Sequence, residues 1–504
     1  MDPAAPAPSP APDPAPPRQD PRRLLLKNTA ILALGQLIGA PMSMIVTAVV
    51  GRFLGSASYG EMTIAGTWVT LGFLFVDWGQ SQLMAGEIAR DRSKAGTLLG
   101  TSLVWRVVAA VLIYGLMASY GGLSGNSREF QVILLLMTVQ WLIVSFTTAT
   151  LDAIRGLERT DISAYQNILQ PLLRLLVVVP ALALLHWKVR GAILAQSAVY
   201  LLLLGYVWRA RAQVGIKPLQ FRIETLRAFF KPGTAFLFFG LAMVAQPFID
   251  AEWLHRRAPL EVAGWNASAR KLLEPLIMPV AVIGGPLYPT LSRLHLEDRA
   301  AFVTTLRSAI RGILILAFPL ALSCYFYGDV GVWLYGKKEY AGAITNLKYL
   351  APFLFLMYFS MPLGVSILAA QRQKAWSAVQ FICVAVSAIL DPILIPLFQR
   401  KSGNGSLGVC VAAVVSEVFM VAFGIKLAEK GVFDRKFAGA FARTAAAGAA
   451  MAAVAVLLEK LGLPSLAAAP IALVTYGVVL WAVGGLAGEQ MDAVLGGIKR
   501  RLKR

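Results

Sequence analysis

The chain has 504 residues, 57% hydrophobic and only 15% charged, with a mean hydropathy of +0.65, a composition that excludes an ordinary soluble domain. Its apolar residues come in about fourteen blocks of roughly 20, separated by short charged loops, the pattern of an all-α polytopic membrane protein. The net charge of +20 is dispersed among those loops rather than gathered on one face, which excludes nucleic acid as its partner.

Residues 2–21 form a Pro/Ala tract that lacks the basic start and apolar core of a signal peptide and carries Asp2 and Asp13. Residues 1–24 therefore read as a disordered or polyproline-II-like cytoplasmic tail. Predicted spans follow at 28–50, 62–86, 96–118, 131–153, 163–186, 191–208, 232–254, 264–289, 309–327, 349–369, 376–398, 407–425, 438–457 and 466–486. Of the 47 Lys and Arg, 31 fall in the N-terminus, alternate loops and the KRRLKR tail, 12 in the opposite loops and four inside spans. The positive-inside rule then puts both termini in the cytoplasm. The basic stretch 211–231 divides a six-helix bundle over 25–210 from a second over 232–428. Residues 429–504 add two helices and a basic cytoplasmic tail.

Charges inside the spans are the informative exceptions, since each is costly in the bilayer. In the first bundle Asp77, Arg106 and Arg174 lie deep, and Asp152 closes the fourth span. The fifth span carries Ser163, Gln166, Asn167, Gln170 and Arg174 at helical spacing, a polar stripe running from the cytoplasmic surface to mid-depth. Pro171 within it frees a carbonyl on the preceding turn. Two deep cations against one deep acid leave a positive excess; the packing alternative is a pairing of one arginine with Asp77.

In the second bundle Asp250 and Glu252 close the seventh span, with Arg256 and Arg257 as expected partners. Arg270 and Lys271 lie one turn from Glu274, within reach of a local ion pair. Pro275, Pro279, Gly284-Gly285-Pro286 and Pro289 mark the eighth span as a bending element. Asp391 ends the eleventh span and Glu417 sits mid-span in the twelfth, leaving Na⁺ or H⁺ coupling or ion pairing open for Asp77, Asp250, Glu274, Asp391 and Glu417. Cys324, Cys383 and Cys410 fall in apolar blocks without metal or disulfide spacing. The three histidines, His186, His255 and His295, are scattered at span ends, and no enzyme signature, cofactor motif or metal site stands out.

The two bundles share weak internal similarity. GRFLGSASYGEMTIA (Gly51 to Ala65) and HRRAPLEVAGWNASA (His255 to Ala269) have in common a basic residue (Arg52, Arg256), a glycine (Gly60, Gly264) and an alanine (Ala65, Ala269). SAYQNI (Ser163 to Ile168) matches SAVQFI (Ser377 to Ile382), and RGAILA (Arg190 to Ala195) matches LGVCVA (Leu407 to Ala412). Matches in one order imply a parallel repeat with a cavity between the halves. The second match sets Ala388 opposite Arg174, so the scaffold needs no cation there.

These segments, with DWGQSQLMAGEIAR (Asp77 to Arg90), VWLYGKKEYAGAITNLKYLAPFLF (Val332 to Phe355), ILAAQRQKAW (Ile367 to Trp376) and PILIPLFQRKSGNGSLGVCVAAVVSEV (Pro392 to Val418), resemble the multidrug/oligosaccharidyl-lipid/polysaccharide (MOP) exporter superfamily over about residues 25–430. The resemblance is to its bacterial polysaccharide-transport, Wzx-like branch. Two departures stand out: Phe381-Ile382-Cys383 replaces asparagines common at the start of the eleventh span, and Trp265 replaces a tyrosine. The resemblance implies a flippase of the bacterial inner membrane that moves a polyprenyl-diphosphate-linked oligosaccharide outward by alternating access. Its partners would be the lipid-linked glycan, membrane lipids and a polysaccharide polymerase machinery. On that reading Arg174, Arg106, Arg270 and Lys271 meet the diphosphate, guanidinium being suited to phosphate oxygens, and Gln166, Asn167 and Gln170 line the path. The alternatives are a lipid II-type precursor flippase, whose fourteen-helix relatives suggest a tail groove at the last two helices, and a cation-coupled antiporter of the same fold. A membrane glycosyltransferase ranks below these, having no catalytic carboxylate pair or large extramembrane loop to support it.

Overall fold

A computed structural model describes residues 21–123, 127–216, 218–336 and 338–485. The N-terminal Pro/Ala tract up to residue 20 and the KRRLKR tail lie outside the described residues. Within them the chain is helical: α1 (Pro21–Leu54), α2 (Ser56–Asp77), α3 (Gln80–Arg90), α4 (Ala95–Leu123), α5 (Arg128–Gly156), α6 (Thr160–Ala183), α7 (Val189–Gln213), α8 (Ile223–Arg257), α9 (Leu260–Glu297), α10 (Arg299–Trp333), α11 (Ala341–Ala369), α12 (Gln373–Ser402), α13 (Ser406–Leu427), α14 (Arg435–Lys460) and α15 (Ser465–Ala482). Eleven of them are long and apolar enough to cross a membrane, and α1 contributes a shorter apolar stretch, Ile38–Leu54. Taken with α2 and α3 as one pass, the chain makes fourteen, so both described ends emerge on one face, the termini face; the opposite one is the far face. The protein is an all-α multi-pass membrane protein.

One predicted span is broken. The stretch 62–86 is two helices because Trp78 (φ 46°) and Gly79 (φ 72°) are both left-handed. The apolar pattern runs through this point without a signal except the glycine, the residue that tolerates such a φ at least cost. The break aims the end of α2 toward α4: Trp105 Nε1 donates to Val76 O at 3.0 Å. The basic linker is also shorter than the charge run suggested. The stretch α7 to α8 is only 214–222, pinned to α4 by Gln220 N–H to Gly96 O (3.4 Å) and Arg222 N–H to Thr101 Oγ1 (3.1 Å).

Helix pairings repeat between the halves. In the first, α1 packs on α6, α2 on α5, α4 on α5, α5 on α7 and α6 on α7. In the second, α8 packs on α12, α9 on α11, α10 on α11, α11 on α13 and α12 on α13. The halves meet where α2 crosses α9, flanked by the symmetric pairs α2·α8 and α1·α9. This is a two-bundle parallel repeat. The C-terminal pair α14–α15 packs mainly on α10 of the second bundle, around Tyr327, Ala447, Met451 and Tyr476, and Phe437 of α14 reaches Phe359 of α11.

The crossing of α2 and α9 is closest at the far face and depends on the two repeat glycines. A Cβ on Gly264 would lie 2.0 Å from Ser56 O, and one on Gly60 would lie 2.2 Å from Leu260 O. Each glycine thus faces the residue one turn before its counterpart, and small residues allow the backbones this approach. The α10–α11 loop completes the contact. Tyr340 Oη donates to Gly51 O (2.8 Å), Glu339 Oε1 accepts from Ser56 N–H (2.8 Å), and Trp265 Nε1 donates to Glu339 O (2.8 Å). Tyr59, Tyr335 and Tyr340 pack tilted and edge-on into one aromatic cluster there. The far face is sealed.

Candidate functional site

Beneath that seal lies a cavity of about 440 Å³ between the bundles, bounded by α1, α2, α5, α6, α7, α8 and α9. The sequence places Arg174 at its edge through two local features. Pro171 cannot donate to the carbonyl of Asn167, and α1 meets that carbonyl through GQLIG, where a Cβ on Gly39 would come within 2.3 Å of Asn167 O. The close crossing brings Thr47 of α1 to Arg174, whose Nη1 lies 3.3 Å from Thr47 Oγ1. The amide of Gln196 on α7 is assigned with its oxygen toward the guanidinium, 3.0 Å from Nη2 and 3.3 Å from Nε, since the reverse sets donor against donor. Arg174 is 9% exposed. Its partners are neutral; among the described residues no carboxylate pairs with it.

Arg106 is different. It is 2% exposed and pairs with Asp77. Ser81 Oγ (3.1 Å), Ser102 Oγ (3.2 Å) and Ser145 O (3.3 Å) accept three more of its hydrogens. It does not line the cavity, so the structure does not bring it to a substrate path, and Asp77 is spent on it rather than on Arg174. The break at Trp78-Gly79 is the reason, because it sets Asp77 beside α4.

The second bundle supplies the cavity's other charges. Arg270 Nη2 lies 2.5 Å from Asp250 Oδ2, and Lys271 Nζ lies 2.7 Å from Glu274 Oε2. The expected pairing of Asp250 with Arg256 and Arg257 does not form; Arg256 pairs with Glu252. The correction follows from helix geometry: 252 and 256 share a face at i,i+4, whereas 250 faces inward and its i+4 neighbour is Leu254. Asp391 is fully buried on α12 beside Asp250, and among the described residues neither of its oxygens meets a hydrogen-bond donor. Asp250 thus holds the guanidinium, and Asp391 stands beside it with no ion pair of its own among the described residues.

The remaining expected residues lie off the cavity. Gln170 donates to Tyr200 Oη at 3.3 Å, one step behind the lining. Gln166 has a buried, unpartnered Oε1, and Asn167 serves the α1–α6 crossing through its backbone. Ser163 accepts from Arg155 Nε at 3.0 Å, so the stripe's surface end is an intramolecular contact. Glu417 accepts from Ser360 Oγ within the second bundle and does not line the cavity. The structure adds lining residues that periodicity could not single out: Thr47, Gln196, Tyr200, Trp141 and Asn266. Each is an ordinary polar or aromatic residue on a helix, informative only once the bundles face one another.

The model of the polysaccharide biosynthesis protein family matches residues 25–295, more than half of the chain. No curated protein sequence matches it. Among solved structures, the lipid II flippase MurJ in an inward closed conformation is similar at 12% identity and TM-score 0.71, covering 90% of this chain and 99% of that one. A multidrug-resistance MATE family transporter of the MOP superfamily, inward-facing, gives 14% identity and TM-score 0.65 over 79% and 98%. A MOP superfamily transporter from Pyrococcus furiosus, described by the reversed polarity of its binding pocket, gives 15% and 0.55 over 81% and 96%. The likenesses establish a shared fold, and the family match shows that the chain belongs to the polysaccharide biosynthesis protein family.

Proposed function

We propose that the protein carries a polyprenyl-diphosphate-linked oligosaccharide from the cytoplasmic to the outer leaflet of a bacterial inner membrane by alternating access, for export of a surface polysaccharide. The observation that carries this is the charge state of the cavity. Asp250 and Glu274 are each paired with a cation of α9, which leaves Arg174 as the lining charge without a counterion. A guanidinium held by neutral groups in a low-dielectric site calls for an anion, and a diphosphate supplies oxygens at bidentate spacing. Hydroxyls and amides of Thr63, Thr67, Gln196 and Asn266, with Trp141, offer the dispersed contacts a sugar needs. With the far face sealed, loading is from the termini face, which the positive-inside rule makes cytoplasmic. The glycan released on the far side would pass to polymerase machinery there.

A coupling ion, H⁺ or Na⁺, fits at Asp250 and Asp391, where one of two neighbouring carboxylates holds the guanidinium. A cation antiporter would need an acid excess in the cavity lining, where Asp250 and Glu274 are each paired with an α9 cation. A lipid II-type precursor bears the same diphosphate; the family match favours the polysaccharide precursor. In a strain lacking its own oligosaccharide flippase, Arg174→Ala is expected to abolish polymer export at normal protein levels, and full export by that variant removes the anion site. Robust ethidium efflux by the wild type would establish the antiporter instead.

A further inference from the structure

A second charged pocket lies far from the central cavity, where α14 and the end of α15 pack on α10. It encloses about 420 Å³ at the termini face and is lined by Ser308, Arg311, Leu314, Phe441, Arg443 and Thr444 among others. None of α1, α2, α8 or α9 reaches it. Its charges do not balance. The acid beside it, Asp434, is taken by Arg307 (3.0 Å), whose Nη2 and Nε donate to the carbonyls of Gly431 and Val432. Arg443 donates to Gly484 O (3.1 Å) and has no carboxylate partner among the described residues. Arg311 Nε is buried and unpartnered. By contrast, the other basic pocket on this face, lined by Arg92 and Arg159, has its cations spent on Glu158 and Asp161.

We propose that this pocket is a binding site for the phosphodiester headgroup of an anionic phospholipid of the surrounding leaflet. Arg311 and Arg443 take the phosphate, Ser308 and Thr444 stand beside it, and the acyl chains run along Leu314, Ile315 and Phe441. Two observations select a lipid over a free phosphate. Arg311, Arg443 and Thr444 lie within the first turns of predicted spans, at headgroup depth, and along α10 the lining deeper than Arg311, Leu314 and Ile315, is apolar. A single phosphate matches two guanidinium forks without a metal. The C-terminal helix pair, which carries no deep charge of its own, thereby gains a lipid that joins it to α10.

The test uses the full-length protein carrying Arg174→Ala, which removes the central anion site, purified in detergent, with thermal unfolding and native mass spectrometry read against dioleoyl-phosphatidylglycerol, dioleoyl-phosphatidylcholine and sodium pyrophosphate. Phosphatidylglycerol is expected to raise Tm and be retained, phosphatidylcholine and pyrophosphate to do neither, and Arg311→Gln/Arg443→Gln to weaken retention about tenfold or more, as loss of charge-assisted hydrogen bonds requires. Arg92→Gln should leave retention unchanged. If the double variant cannot be purified, Arg443→Gln alone, at an exposed side chain, should still weaken it severalfold. Equal retention of both lipids, equal stabilisation by pyrophosphate, or unchanged retention in the arginine variants each overturns the proposal.

Discussion

Arg106 and Arg174 are both mid-span arginines of the first bundle, and what separates them is the company each keeps. Arg106 is buried with a carboxylate and three oxygen acceptors. Removing the acid leaves a desolvated charge, so Asp77→Asn should destabilise the protein by about 3–5 kcal/mol. Asp77→Leu/Arg106→Met should recover much of that loss, which a thermal double-mutant cycle in detergent measures. A cycle showing no coupling would mean the pair contributes nothing to the fold. Arg174, held by Thr47 and Gln196, predicts the opposite: Arg174→Ala should leave stability within about 1 kcal/mol, because no buried partner charge is orphaned. The depth of both arginines was legible from hydropathy; their partners were not. Partner choice hung on two left-handed residues, Trp78 and Gly79, and on the amide of a glutamine in another helix. Likewise Asp250 was visible as an acid near basic neighbours, but only the rotation of α8 shows that it faces Arg270.

At the scale of elements, small residues decide where helices touch. The repeat glycines were visible as a sequence match, yet their role was not, because a match says nothing of which helix each copy faces. In the structure they face each other's helices across the α2–α9 crossing. Gly264→Ala would put a methyl 2.0 Å from Ser56 O, a backbone atom with nowhere to go. The far face must then part. Spin labels at Arg52 and Arg257, exposed on α1 and α8, should report a longer distance in Gly264→Ala than in the wild type, and an unchanged distance would show that the seal lies elsewhere. The start of α14 gives a pH prediction. Asp434 caps it, accepting from Phe437 N–H at 2.7 Å, and this bond with the Arg307 charge nearby holds its carboxyl below the usual range. A depressed pKa means stability present above the unfolded value of about 3.9 and lost as pH falls through the lower folded value. Hydrogen exchange in the first turn of α14 should therefore quicken, relative to intrinsic rates, only below about pH 4, and Asp434→Ala should remove that pH dependence.

At the scale of the whole molecule, alternating access requires two bundles that part at one face as they meet at the other, with an input that biases the exchange. The bundles were readable from hydropathy and repeats because those patterns are local; the seal was not, because Glu339 and Tyr340 bridge nearly 300 positions of sequence to Ser56 and Gly51. The input is sought at Asp391. Its oxygens meet no cation within ion-pair distance among the described residues, so Asp391→Asn keeps the shape of the side chain, removes its ionisable carboxyl and should fold normally. The variant keeps Arg174 and its neutral holders, so substrate should still bind. What it lacks is the carboxyl beside Asp250, and with it the site that takes up the coupling ion. In proteoliposomes carrying a fluorescent polyprenyl-diphosphate glycan, wild-type transfer between leaflets is expected to accelerate under an imposed pH or Na⁺ gradient. Asp391→Asn should transfer at one rate with or without the gradient. If the variant still responds to the gradient as the wild type does, coupling lies elsewhere, and Glu417, buried against Ser360 in the same bundle, becomes the next acid to test.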